Sequence, residues 1–153
     1  MTIIIYCDGL CEPINPNGIA TYGFIIYGDE NMLHNDYGLV GVGQEVDHAV
    51  AEYAAMCKAL EYLISQGLVD EEVTIRSDSK QIVYQMSGKQ MGNKGLYLPW
   101  FRKACYLHKN FRQLEYTWIS RDENKEADAL TWRAYEEHCK AKGIEPKYQN
   151  NQP

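Results

Sequence analysis

The chain has 153 residues, enough for one domain with a real core, and its apolar share of 45% is that of an ordinary globular protein. Fifteen basic against 21 acidic residues leave a net charge of −6, which argues against a strongly basic nucleic-acid binder. No apolar run approaches the roughly 20 residues of a membrane span, and no basic segment leading into an apolar one opens the chain; a cytoplasmic address and no membrane partner are expected. The five cysteines, Cys7, Cys11, Cys57, Cys105 and Cys139, are odd in number and widely spread, which suits reduced thiols better than a disulfide framework.

The elements follow in chain order. Thr2 to Asp8 is β-branched and apolar (Ile3, Ile4, Ile5) and reads as a first strand buried on both faces. "NPNG" (Asn15 to Gly18) is a turn. "ATYGFIIYG" and "MLHNDYGLVG" read as two more strands joined in a hairpin at "GDEN". "DHAVAEYAAMCKALEYLISQ" (Asp47 to Gln66) has helical periodicity, with Asp47 as N-cap and Gly67 as stop. "EVTIRSD" is a fourth strand, "SKQIVYQMSG" a short helix, "LPWFRKACYLHKN" a third helix and "LEYTWIS" a fifth strand. "RDENKEADALTWRAYEEHCKAKG" is a loop and a last helix stopped by Gly143. The expected domain is 1–143, followed by a loose polar tail, 144–153. The order β-β-β-α-β-α-α-β-α implies an α/β fold with a mixed five-stranded sheet flanked by helices.

Four acids stand where acids are costly. Asp8 closes the first strand, Glu52 interrupts the apolar "HAVAEYAAMC", Asp78 stands where a strand gives way to a helix, and Asp128 lies near the start of the last helix, capped by Asn124 or Asp122. Singly, each has an ordinary reading: Asp8 as a turn cap with Gly9, Asp78 as an N-cap, Asp128 as a surface residue. Together, two at strand ends and two beside apolar helix faces make a charged cluster with no Lys or Arg regularly beside it. Divalent cations supply that countercharge. Mg2+ takes oxygen ligands and keeps waters, and four carboxylates can hold two ions about 3.5–4 Å apart for in-line attack at a phosphate.

Taken in order, "CDGLCEPINPNGIATYGFIIY", "VAEYAAMCKALEYL", "IRSDSKQIVYQMSG" and "WISRDENKEADAL" resemble the type 1 ribonuclease H family, especially its compact archaeal-type members, over Thr2 to about Lys142. The resemblance implies a ribonuclease H-like fold and an endoribonuclease that hydrolyses the RNA strand of RNA/DNA hybrids, leaving 5′-phosphate and 3′-hydroxyl ends. It implies two Mg2+ (or Mn2+) ions held by Asp8, Glu52, Asp78 and Asp128. Asp8 and Asp78 would be central to both ions, Glu52 would serve the leaving-group side and Asp128 the attacking water. It also implies that backbone groups of Gly9, Leu10 and Cys11 help read the 2′-hydroxyl, the group that separates RNA from DNA, and that Asn15 contacts substrate. The expected partner is the hybrid, with double-stranded RNA a second candidate, and the expected state is a monomer.

The sequence departs from the family at several points. His48 and Ala49 stand where asparagines usually contact substrate. His48, one helical turn from Glu52, is either a substitute donor or a solvent-facing histidine. Asp47 replaces a threonine near the DNA phosphate, and Lys80 replaces a glutamine as a candidate substrate contact. No histidine precedes Asp128; Arg121 is the nearest auxiliary candidate, against a surface pairing with Asp122 or Glu123. The large basic helix is missing, leaving Lys89, Lys94, Arg102, Lys103 and Lys109 as candidate phosphate contacts. Trp100, Trp118 and Trp132 are expected in the core. Rival readings are another nuclease of this fold (resolvase, exonuclease or integrase), a non-catalytic hybrid-binding module, and zinc chemistry through His34, His48, His108 or His138, for which no ligand spacing is present.

Overall fold

The computed structural model describes residues 1–148. Five strands, β1 (Thr2–Glu12), β2 (Ile19–Gly28), β3 (Asn31–Val42), β4 (Glu72–Ser77) and β5 (Gln113–Trp118), form one sheet in the order β3-β2-β1-β4-β5. The pairs β1–β2 and β2–β3 are antiparallel; β1–β4 and β4–β5 are parallel. The helices are α1 (His48–Ser65), α2 (Lys80–Met86), α3 (Leu98–His108) and α4 (Lys125–Lys142), the last preceded by a 3-10 turn over Arg121–Asn124 that the sequence did not signal. The mixed five-stranded sheet and the order of elements agree with the sequence reading. Among the described residues no helix is long and apolar enough to cross a membrane.

The sheet has two unlike faces. Ile3, Ile5 and Cys7 of β1, Phe24 and Ile26 of β2 and Val73 and Ile75 of β4 point into the main core with α1 and α3. Among the described residues α4 lies on the other face, against β1, β2 and β3. The helix α1 is buried almost all round (Val50, Ala51, Tyr53, Ala54, Ala55, Met56, Ala59, Leu60 and Leu63) because it lies between the sheet and α3. Its alanines permit that close approach, since they add little volume between backbones.

Two expectations change. The first strand runs on to Glu12, so Asp8 lies inside it rather than at its end. The parallel partner, however, follows β1 only as far as Tyr6, opposite Arg76, whereas β2 follows it to Glu12. Beyond Tyr6 one edge of β1 is without a strand, and the backbone groups on that edge must find other partners. The tail also differs. Tyr135 Oη donates to Lys147 O at 2.6 Å, Lys147 N donates to Tyr135 Oη at 2.9 Å, and Tyr148 packs on Trp132, so 144–148 is docked on α4 rather than loose. Residues 149–153 of that expected tail lie outside the described residues. All five cysteines carry thiols, with no disulfide.

Candidate active site

Two glycines bring the helices to Asp8. A Cβ on Gly9 would sit 2.3 Å from the backbone of Ala51 and Glu52, so α1 crosses β1 at Gly9 in direct backbone contact and sets Glu52 beside Asp8. On the other face Gly23, the β2 residue paired with Asp8, faces α4, where a Cβ would lie 2.7 Å from Leu130 Cβ and 2.9 Å from Ala127 O. Two further bonds fix α4. Thr21 Oγ1 donates to Thr131 O at 2.8 Å, and buried Asn124 Nδ2 donates to Cys7 O at 3.0 Å. Asn124 heads α4 as the sequence suggested but caps it with no side-chain bond; it ties the helix to β1 next to Asp8, one turn before Asp128. That tie was missed, because a cap and a cross-strand anchor use the same residue type.

Asp78 follows the last residue of β4. It is not the N-cap of α2, a place Ser79 takes by accepting from Ile82 N. Asp8, Asp78 and Asp128 line one open cleft of about 480 Å³ together with Gly9, Asn15, His48 and Arg121. Among the described residues the tightest donor group is Asp8, His48 and Glu52, whose ligand atoms lie within 4.8 Å of one another; Asp78 and Asp128 stand outside that group on the same cleft.

The electrostatics follow from burial. Asp8 is 5% and Glu52 7% exposed. Burial, then Asp78, Glu52 and Asp128, raise Asp8 well above the usual carboxylate range, against one N–H from Gly9 at 2.9 Å. Burial pushes Glu52 up to about 7, opposed by His48. Asp78 is raised by burial and by Asp128, while Arg121 and His48 act against the rise. Crowded acids without countercharge hold their protons, and hard divalent cations suit such an oxygen set.

The remaining expected residues take distinct places. His48 is neither a free surface residue nor a clear donor into the cleft: its Nε2 lies 2.9 Å from Gly9 O and 3.8 Å from Glu52 Oε2. Asn15 Oδ1 accepts from His48 N at 2.9 Å, helping Asp47, which accepts from Val50 N at 2.8 Å as the N-cap of α1. Leu10 and Cys11 line the cleft while their side chains are buried, so only their backbones can meet a ligand. Arg121 faces the acids rather than Glu123, which is held by Ser120. Lys80 is not among the residues lining the cleft; its Nζ stands 4.9 Å from the ring centroid of Trp118. Lys103 pairs with Glu61 at 3.2 Å on a solvated helix face.

Trp100 packs half-buried against the main core, and Trp132 packs half-buried against a second apolar cluster of Leu10, Ile19, Tyr135 and Cys139 while also lining the cleft; Trp118 is 43% exposed, contrary to expectation. Of the other histidines, His34 stacks on Tyr62 and His108 bonds Tyr116 Oη, so neither joins the acids.

The reverse transcriptase-like family matches residues 7–134, a span that includes all four acids. LC11-RNase H1, solved in complex with RNA/DNA hybrid, is 34% identical, with a TM-score of 0.81 over 89% of this chain and 98% of that one. The N-terminal RNase H domain of Rv2228c from Mycobacterium tuberculosis is 26% identical, with a TM-score of 0.80 over 92% and 98% of the two chains. The bifunctional protein Rv2228c itself is 29% identical over 130 residues, and the chain spans about a third (34%) of the length of that curated relative. With the fold, the acids and these likenesses together, the chain belongs to the type 1 ribonuclease H family.

Proposed function

We propose that the protein is a divalent-metal-dependent endoribonuclease that hydrolyses the RNA strand of RNA/DNA hybrids. The observation that carries this reading is the convergence of Asp8, Asp78 and Asp128 on one cleft, with buried Glu52 beside Asp8, in a chain of this family. The family is divalent-metal dependent, and LC11-RNase H1, solved on a hybrid, supports the substrate class. The donor chemistry fits: buried carboxylates that hold protons for want of a cation are a site that a hard cation relaxes.

When bound, the cations supply countercharge and Lewis acidity at the scissile phosphate. This chain's residues do the rest. Asp8 and Asp78 hold the centre of the site, Glu52 the leaving-group side and Asp128 the side of the attacking water. Water attacks phosphorus in line, the P–O3′ bond breaks and the 3′-oxygen takes a proton, leaving 5′-phosphate and 3′-hydroxyl ends. The backbone of β1 from Gly9 to Cys11, with the Asn15 amide, meets the ribose 2′-hydroxyl. His48 braces Gly9 against α1. Arg121 offers a cation to the departing phosphate. We assign the catalytic domain to 1–143, working as a cytoplasmic monomer.

The test is cleavage of an end-labelled RNA/DNA duplex with Mg2+, Mn2+ or chelator, beside RNA/RNA and DNA/DNA controls. Wild type should cut only the RNA strand and only with metal, and Asp78→Asn should lose on the order of 10²-fold or more. A wild type that binds the hybrid and never cuts it leaves a binding module instead.

A further inference from the structure

Two exposed rings and two lysines lie on and around α2: Lys80 and Tyr84 on the helix, Trp118 at the end of β5 and Lys89 just past the helix. Trp118 ends β5, opposite Ser77 of β4. It follows Leu114 and Tyr116 on the core-facing side of the strand, but lies past the edge of the core and stays 43% exposed. Its indole is held in place: Nε1 donates to Asp78 O at 3.2 Å, and Lys80 Nζ stands 4.9 Å from the ring centroid. Tyr84, four residues along α2 from Lys80 and so on the same helix face, is 37% exposed, and Lys89 Nζ stands 5.9 Å from its ring. Two exposed rings and two cations thus run outward from the backbone of Asp78, on a chain of net charge −6.

We propose that Trp118, Lys80, Tyr84 and Lys89 form a track for a single-stranded flank of the hybrid, a specificity element beside the catalytic cleft. The inference rests on the hybrid substrate assigned above. Inside a duplex each base face is covered by its neighbours, so an exposed indole can stack only on a duplex end or on a base that has left the duplex. Rings that stack bases and cations that meet the phosphates between them are what sequence-tolerant binding of single strands requires. Because the Trp118 indole is bonded to the carbonyl of Asp78, a strand seated there lies next to the residue that ends at the cleft. The substrates favoured are therefore hybrids with an unpaired stretch at one end, rather than blunt duplexes.

The experiment compares a blunt hybrid with the same hybrid carrying a three-nucleotide flank, on either strand and at either end, and with an abasic version of each flank. Binding is measured by fluorescence anisotropy in an Asp128→Asn background, and cleavage as kcat/KM with the otherwise wild-type chain. One flanked form should bind roughly five- to a hundredfold tighter than the blunt hybrid. That advantage should vanish with the abasic flank and with Trp118→Leu, fall in Tyr84→Leu, and largely survive Trp118→Phe. Lys80→Met should lower the salt dependence of flanked binding by about one phosphate contact. With Trp100→Phe and Trp132→Phe in place, the emission of Trp118 should be quenched by that flanked hybrid and not by the blunt one.

Equal binding of blunt and flanked hybrids by the parent chain overturns the proposal, as does a flank advantage that survives Trp118→Leu. If Trp118→Leu fails to fold, Tyr84→Leu and Lys80→Met decide by the same comparison. Failure to bind or cut even the blunt hybrid overturns the hybrid assignment instead.

Discussion

The two halves of β1 share one backbone and have opposite surroundings. From Thr2 to Tyr6 the strand has a neighbour on each edge, and Ile3 and Ile5 are fully buried. From Asp8 to Glu12 it keeps only β2; two helices close on it instead, over Gly9 on one face and Gly23 on the other. The first half contributes stability through apolar burial. The second half is buried throughout, Asp8 and Glu12 included, and sets a carboxylate beside Glu52 in that interior, a cost the rest of the domain must carry. The Asp8 carboxylate is thus held inside the strand, two residues past the last pairing of β1 with β4.

The comparison can be broken most strongly in the apolar half. Ile5→Ala should cost about 2–5 kcal/mol of unfolding free energy in denaturant titration, while the folded fraction keeps its affinity for Mn2+. Equal loss of metal affinity would mean that the halves are not separable. Gly9→Ala should cost about 1–3 kcal/mol through overpacking against α1, and here metal affinity should fall as well, because α1 carries Glu52.

A third test uses pH. The folded chain keeps a proton on Glu52, raised to about 7, that the unfolded chain releases near 4.5, and burial raises Asp8 in the same direction. Stability from this source is complete below about pH 4.5 and is lost as pH rises through about 7, by on the order of 1–3 kcal/mol. Denaturation of the chelator-treated protein at pH 5 and pH 8 checks the sign, and saturating Mg2+ should recover stability at pH 8 because it binds the deprotonated carboxylates. The smallest effect is expected for Asp8→Asn. With like-charge crowding relieved, the metal-free protein should gain about 1 kcal/mol at pH 8, measured by thermal melting, while the metal-induced rise in melting temperature shrinks.

Much of this division is visible in the residues. The run Ile3 to Ile5 reads as buried on both faces, and the structure buries Ile3 and Ile5 but leaves Ile4 half-buried; Glu52 stood out inside an apolar run, Asp8 and Asp78 at expected strand ends, and Asp128 near the start of the last helix. Asp47 as the cap of α1 and Gly143 as the stop of α4 were likewise legible, because caps are local chemistry. Trp118 was misplaced in the core because alternation along β5 continues past the edge of the helices that cover it, and a strand's period says nothing of where its cover ends. Asn124 and Gly23 gave no signal, since an anchor to Cys7 O and a missing side chain under α4 exist only across long sequence separations.

The sequence by itself determined the order of elements and the buried character of α1, which follow from periodicity, and singled out the four carboxylates through an order of motifs that resembles the type 1 ribonuclease H family. Only the tertiary structure decided where β4 ceases to pair with β1, which glycines admit the helices, how His48 and Asn15 bind the loop to α1, and that Trp118 is left facing solvent. Those depend on distances between segments far apart in the chain, which local propensity and composition do not encode.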